Sequence, residues 1–178
     1  MAEWPEDPAD PDQRASFFES ARPLIEQLTP ERIAADGAAY LDHLQRVAES
    51  GRAAITGYCL RGRLGWRIAA AQPDRVAALA AFHPGGLVGD GADSPHLSAD
   101  ALRGVELCLG FADEDPSMSA EQIETLERAL EEAGVRFHAD VYAGARHGFT
   151  MEDSPAFDEA ARERQFRELG ALLKRTLG

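Results

Sequence analysis

The chain has 178 residues, of which 44% are hydrophobic and 28% charged, a composition typical of a single globular domain with a substantial core. It carries 31 acidic against 18 basic residues, and this net charge of −13 argues against binding to nucleic acid or to an anionic membrane. There is no signal-peptide pattern at the N-terminus and no apolar run of the length that a membrane span needs. The two cysteines do not indicate a disulfide framework, so the reducing cytoplasm is the expected compartment.

The first 28 residues differ in character from the rest of the chain. Residues 1–13 are rich in proline and acid, which predicts an extended or disordered leader, and a short helix is expected over 17–28. Thr29 has the features of a helix N-cap, with Pro30 at the first helical position. Residues 29–178 are therefore predicted to form one α/β domain.

Short apolar runs alternate with amphipathic segments through that domain. Strands are predicted at 53–58, 76–82, 105–110 and 137–142, and helices at 29–51, 60–72, 119–134 and from Ser154-Pro155 onward. A surface loop with room for one helical turn is expected at 87–103. The helix over 29–51 carries an apolar stripe of Ile33, Gly37, Tyr40, Leu41, Leu44 and Ala48. The residues expected to face inward on the last two helices are Ile123, Leu126 and Leu130, and Phe166, Leu169, Leu172 and Leu173. This alternation predicts a mostly parallel sheet with helices on both faces and a site at the carboxyl ends of its strands.

Cys59 lies where the first predicted strand turns into a helix, in the run Gly57-Tyr58-Cys59. Such a turn lifts a nucleophile clear of the sheet and aims helix N–H groups at it, which favours the thiolate. The competing interpretation is a small buried hydrophobe, which is the one we assign to Cys108. The usual elbow places a second glycine two residues after the nucleophile, whereas this chain has Arg61 there and Gly62 one step later.

Two further candidates follow later strands. Asp113 comes after the third strand and His147 after the fourth, so that nucleophile, acid and histidine occur in the order of an α/β-hydrolase triad. Because aspartates after strands are often turn residues, Asp115 or Glu114 could take the place of Asp113.

The remaining histidines have simpler explanations. His83 ends the second strand, where it would either line the pocket or pack in the core, while His43 is expected on a helix surface and His96 in a loop contact. The sequence has no HExxH, CxxC, GxGxxG or P-loop pattern, so no metal site is predicted.

Four separated segments resemble the dienelactone hydrolase family of α/β-hydrolases from about Thr29 to the C-terminus. They are GYCLRGRLGWRIAAAQPDRVAALAAFHPGG, SPHL, GFADEDPSM and YAGARHGF. The resemblance implies a partial α/β-hydrolase fold that opens a lactone or ester through an acyl thioester, without a cofactor. It assigns Cys59 as nucleophile, Asp113 as acid and His147 as base. The N–H of Leu60 would belong to the oxyanion hole, with Tyr58, His83 and Phe149 at the pocket.

The chain departs from the family pattern in three ways. Arg61 replaces a glycine, and Met151 stands where some members carry an arginine that holds a substrate carboxylate. Residues 1–28 also do not resemble the upstream strands that supply a second oxyanion donor in the family. We therefore expect either a truncated or mis-started chain, or a homo-oligomer formed through the exposed edge of strand 53–58. The competing functions are an impaired homologue that acts as a binding module, and a broader carboxylesterase or thioesterase.

Overall fold

The structure, a computed structural model, describes residues 11–48, 51–113 and 115–178. The helices are α1 (Pro11–Ile25), α2 (Pro30–Val47), α3 (Leu60–Ala71), α4 (Ala120–Ala133) and α5 (Glu159–Leu177), and a 3₁₀ helix spans Pro95–Leu102. The strands are β1 (Ala53–Tyr58), β2 (Val76–Phe82), β3 (Glu106–Ala112) and β4 (Phe137–Tyr142). All three strand pairings are parallel and the order is β1-β2-β3-β4, which confirms the predicted sheet. Within the described residues, none of the helices is long and apolar enough to cross a membrane.

Local sequence determines where several of these helices begin and end. The Thr29 side chain accepts a hydrogen bond from the N–H of Arg32 at the start of α2. Ser119 and Gln122 form a reciprocal capping box at the start of α4, as predicted. Gly134 ends α4 with φ of 68°, a left-handed conformation that glycine adopts without steric strain.

Apolar side chains pack on both faces of the sheet. On one face Trp66 of α3 and Leu126 of α4 are fully buried against β2 and β3. On the other face Leu172 of α5 packs with a cluster that includes Cys108. Strand β2 is buried along its whole length, whereas β1 is only partly buried because, within the described residues, it pairs with β2 alone.

The N-terminal region is more helical than its composition predicts. Helix α1 begins at Pro11 and therefore includes residues 11–13, which the sequence places in an extended leader. Proline is compatible with the first turn of a helix because the N–H that it lacks would have no intrahelical partner there. Residues 1–10 of the predicted leader lie outside the described residues, and the domain boundary at residue 28 stays a prediction.

The predicted apolar stripe of α2 is only half buried. Ile33 and Leu41 are buried, and Gly37 lies close against Ile68 of α3. Tyr40 and Leu44 of the same stripe are 68% and 38% exposed. Among the described helices, α2 packs mainly against α3, so only a narrow strip of its surface is covered.

Helix α5 begins later than its sequence suggests. The N-cap is Asp158, whose carboxylate accepts from the N–H of Ala161, and not Ser154. Gln165 and Leu172 lie on the buried face of α5 and Phe166 is 54% exposed, so the predicted inward position of Phe166 is wrong. Leu172 faces the sheet as predicted.

Candidate active site

Every candidate side chain follows a strand of the same parallel sheet. Cys59 follows β1, His83 follows β2, Asp113 and Asp115 follow β3, and His147 comes five residues after β4. Parallel strands bring their carboxyl ends to one edge, and the N–H of Cys59 bonds the carbonyl of Phe82 across it. The topology alone therefore gathers these residues.

Cys59 occupies a sharp strand-to-helix turn. Its backbone has φ of 53° and ψ of −130°, a left-handed conformation that non-glycine residues rarely adopt. A side chain at Gly57 could not fit, because its Cβ would lie 2.4 Å from the carbonyl oxygen of Arg61. These features match the predicted nucleophile elbow.

Gly62 performs the packing role that the family pattern gives to the residue before it. A Cβ on Gly62 would lie 2.9 Å from that of Pro84 and 3.1 Å from that of Ala81, so α3 approaches β2 through this glycine. The side chain of Arg61 is exposed and takes no part in the contact. The displaced glycine therefore leaves the elbow intact.

His147 joins the sulfur to a carboxylate. Its Nε2 lies 2.9 Å from Sγ of Cys59, and its Nδ1 lies 2.6 Å from Oδ2 of Asp115. Asp113, which the sequence favoured as the acid, instead accepts a hydrogen bond from the N–H of Gly144 at 2.8 Å. The structure corrects the predicted constellation, because Asp115 is the carboxylate that reaches the imidazole.

Ser117 explains why Asp115 points at the histidine. Its N–H and its hydroxyl both donate to Oδ1 of Asp115, at 2.8 and 2.7 Å, which leaves Oδ2 for His147. The loop that bears Ser117 is itself held by the N–H of Gly86, which donates to the Ser117 carbonyl at 3.1 Å. Burial raises the pKa of Asp115, but the Ser117 and His147 hydrogen bonds outweigh it and hold this pKa below its usual value.

Cys59 and His147 shift one another's pKa, downward for the thiol and upward for the imidazole. Burial raises the pKa of the Cys59 thiol, but hydrogen bonds from the His147 and His83 side chains, the His147 charge and the Leu60 N–H together lower it to about 6. The hydrogen bond to Cys59 raises the pKa of His147, burial opposes this, and the Asp115 carboxylate adds to the rise, to about 9. Near pH 7 the pair is therefore a thiolate beside an imidazolium.

The other predicted pocket residues have different positions. The Leu60 N–H faces the sulfur, as a first oxyanion donor should. The Tyr58 ring stacks on Phe82 and its hydroxyl accepts from Gln165 at 3.3 Å, so it packs toward α5. Phe149 is fully buried and stacks on a tyrosine 4.9 Å away, which places it beneath the site and not at its surface.

His83 is likewise buried, at 1% exposure, with φ of 38°. Its ring lies edge-on to those of His147 and Phe149, with centroids 5.0 and 5.2 Å away. Of the two interpretations that the sequence left open, the structure shows a packed histidine, but one that contacts the reactive pair.

The site opens toward solvent beside the histidine. The Cys59 thiol is partly exposed, and a cleft of about 560 Å³ is lined by Asp115, Arg146, His147 and Pro155 among others. His43 is exposed on α2, and His96 lies not in a loop but in the first turn of the 3₁₀ helix, where its Nδ1 is 2.8 Å from Oγ of Ser94. Across residues 11–48, 51–113 and 115–178, no group of three or more His, Cys, Asp or Glu side chains could hold a metal ion.

Comparison with known proteins identifies the family. The family model for the dienelactone hydrolase family matches residues 5–177. The chain belongs to this family. A protein of Salmonella typhi named "putative carboxymethylenebutenolidase" is 31% identical over 160 residues, which are 85% of this chain and 57% of that protein. One of the same name from Escherichia coli K12 is 30% identical over 162 residues, which are 86% of this chain and 58% of that protein.

Solved structures show the α/β-hydrolase fold of the dienelactone hydrolase family. A "putative dienelactone hydrolase" from Klebsiella pneumoniae superposes with a TM-score of 0.80 at 22% identity, covering 90% of this chain and 67% of that one. A dienelactone hydrolase-like promiscuous phosphotriesterase from metagenomic libraries superposes with a TM-score of 0.72 at 18% identity, covering 95% and 70%. The present chain thus spans a little over half the length of the curated relatives it matches.

Proposed function

We propose that this dienelactone hydrolase family member is a cysteine-dependent hydrolase that opens lactone or ester bonds through an acyl thioester. The observation that supports this most strongly is the hydrogen-bonded line from Cys59 through His147 to Asp115, with contacts of 2.9 and 2.6 Å. A nucleophile, a base and a group that orients the base, all within hydrogen-bond reach, are the arrangement required for acyl transfer. The names of the curated relatives fall in the same reaction class.

The acylation half of the proposed reaction begins from the thiolate. The sulfur of Cys59 attacks the ester carbonyl carbon, a C–S bond forms, and the carbonyl π electrons move to oxygen. The Leu60 N–H, which faces the sulfur, would donate to that oxyanion. The tetrahedral adduct collapses by breaking the C–O bond, and the leaving alkoxide takes the proton from Nε2 of His147. In a lactone the released hydroxyl stays attached to the acyl group.

Deacylation uses the now neutral imidazole as a base. His147 takes a proton from water, the resulting hydroxide adds to the thioester carbonyl, and collapse breaks the C–S bond to return the thiolate. The carboxylic acid product gives its proton to solvent. Asp115 keeps its negative charge throughout, since its part is to hold Nδ1–H and to stabilise the imidazolium.

An activated-ester assay on purified variants tests this function. Cys59→Ala should lower kcat/KM for p-nitrophenyl acetate by at least about 10³-fold, because it removes the nucleophile. Cys108→Ala is the matched control and should retain wild-type kinetics. Equal rates in the wild type and Cys59→Ala would contradict the hydrolase and favour the impaired homologue that acts as a binding module. A broader carboxylesterase or thioesterase would show itself by comparable rates on open-chain esters, thioesters and lactones.

The proposal extends to association and compartment. Strand β1 is a sheet edge within the described residues, and Thr56 on it is exposed. A second copy related by a two-fold axis could pair with this edge antiparallel to itself. Light scattering on protein eluted from a size-exclusion column should then give twice the chain mass. A monomer at all concentrations up to about 100 µM, well above the dissociation constants of ordinary protein dimers, would contradict this. A reducing cytoplasm would suit two free thiols.

A further inference from the structure

His83 is the buried polar group that the triad leaves unexplained. It follows β2 directly, beside the carbonyl of Phe82 that bonds the N–H of Cys59, so it is the neighbour of the nucleophile across the sheet edge. Its Nε2 lies 3.0 Å from Oγ1 of Thr150, but its Nδ1 is buried and, among the described residues, has no hydrogen-bond partner at standard distance and angle. An unpaired buried nitrogen costs about 1–3 kcal/mol, so a folded protein normally has a use for it.

The backbone at His83 is also unfavourable. Its φ of 38° is a left-handed conformation that residues other than glycine adopt uncommonly. Edge-on contacts with His147 and Phe149 keep the ring in one orientation. A strained backbone and an unpaired nitrogen at the same residue, next to a proposed nucleophile, indicate a function beyond packing.

We propose that His83 is a second imidazole donor to the Cys59 sulfur, held by the Thr150 hydroxyl in the tautomer that carries its hydrogen on Nδ1. A neutral imidazole has one donor and one acceptor nitrogen, and a threonine hydroxyl can serve as either partner. When Thr150 donates to Nε2, Nδ1 becomes the donor and can stabilise a thiolate. The opposite tautomer would turn a lone pair toward the negative sulfur.

The electrostatics of the sulfur agree with this assignment. After burial, which opposes ionisation, the hydrogen bonds of His147 and then of His83 are the largest influences on the pKa of Cys59. The Leu60 N–H at the start of α3 also faces the sulfur. His147 must leave the sulfur to protonate the alkoxide, whereas His83 keeps its proton and can stabilise the thiolate that deacylation returns.

Variants of Thr150 test the tautomer without touching the triad. Thr150→Val keeps the shape and removes the hydroxyl, and Thr150→Ser restores it. The readout is the rate of Cys59 alkylation by iodoacetamide against pH, in a Cys108→Ala background. Thr150→Val should raise the pH midpoint of Cys59 alkylation by about one unit, which lowers the alkylation rate at pH 6 about fivefold. Thr150→Ser should keep the wild-type midpoint.

Variants of His83 and an NMR measurement complete the test. His83→Leu should raise the midpoint at least as much as Thr150→Val, whereas His83→Asn tolerates the backbone, offers an amide donor and should shift it less. Long-range ¹H–¹⁵N spectra should show the His83 hydrogen on Nδ1. If His83→Leu does not fold, the Thr150 pair and the spectra carry the test.

The inference rests on the proposed function, but the two fail differently. A wild-type midpoint near pH 6 that neither Thr150→Val nor His83→Leu moves would overturn the role of His83 and leave the hydrolase standing. A hydrogen on Nε2 of His83 would do the same. A wild-type Cys59 that resists alkylation until pH 8 or above would contradict the nucleophile itself.

Discussion

The two cysteines of this chain show how position in a sheet decides the chemistry of a thiol. Cys108 lies in the middle of β3, opposite Ala80 of β2 and His138 of β4, with its side chain in the apolar cluster beneath α5. Burial, with a smaller contribution from the Glu168 carboxylate, raises its pKa to about 11. Cys59, just past the end of β1, has a pKa lowered to about 6.

The difference arises from what surrounds each sulfur. In mid-strand the backbone donors bond neighbouring strands and the side chain faces apolar groups, so the charges of Arg175 and Arg164 offset only part of the cost of burying a thiolate. At the strand end the next N–H groups belong to the first turn of α3 and have no intrahelical acceptor, and two imidazoles approach from neighbouring loops. Burial by itself would make both thiols inert.

Cys59 and Cys108 should differ most in how fast each is alkylated. At pH 7 Cys59 should be almost fully ionised, whereas Cys108 lies about four pH units below its pKa. The thiolate fraction of Cys59 should therefore exceed that of Cys108 by about 10⁴-fold. Alkylation of Cys59 should rise as pH increases through about 6, because the thiolate replaces the thiol. Cys108 should stay unmodified in the folded protein up to pH 9. Mass spectrometry of peptides after timed labelling gives both rates, and equal labelling would abolish the distinction.

Removing the negative charge behind His147 should make Cys59 more like Cys108. Asp115→Asn should lower kcat/KM on an activated ester by about 10²–10⁴-fold, as loss of the orienting carboxylate does in other triads. Asp113→Asn is the matched control, because within the described residues the Asp113 carboxylate bonds only the Gly144 N–H, and it should change the rate less than about threefold. The reverse ranking would restore Asp113 as the acid.

Loosening the same carboxylate should have a smaller effect. Ser117→Ala removes one of two donors to Oδ1 of Asp115 but leaves the Ser117 N–H in place. We expect about a tenfold fall in kcat/KM, the equivalent of one hydrogen bond to a charged group. Ser117→Thr keeps the hydroxyl and should restore most of the rate, while equal losses in both variants would indicate a steric cause.

The smallest effect should come from the residue that departs from the family pattern. Arg61→Ala should leave kcat/KM within about twofold, because an exposed side chain with no packing role contributes little. Gly62→Val is the contrasting change and should lower the free energy of unfolding by about 1–3 kcal/mol through overpacking against Ala81 and Pro84. Chemical denaturation of both variants checks this, and a stable Gly62→Val would show that α3 can move away.

The strands and the site were largely predictable from the sequence because hydrophobic periodicity and capping residues are local signals. The capping box at Ser119 and the strand that precedes Cys59 are examples. The acid was harder to assign, because Asp113 and Asp115 share one loop and only the Ser117 hydrogen bonds decide which carboxylate turns toward His147. The same limit applies to Phe166, because its exposure depends on how α5 is rotated against the sheet, which is a tertiary contact and not a local signal.

The left-handed turn at Cys59 has a consequence for how this site could change over time. The backbone of the elbow residue determines where its Cβ lies. It does not determine whether Cβ carries a sulfur or an oxygen atom. Serine differs from cysteine there by one atom, so an oxygen nucleophile is one nucleotide substitution away. The imidazoles and the carboxylate would then act on a hydroxyl that is far less acidic than the thiol. Comparing the rates of the cysteine and serine forms would show how much of the rate depends on geometry and how much on the acidity of the nucleophile.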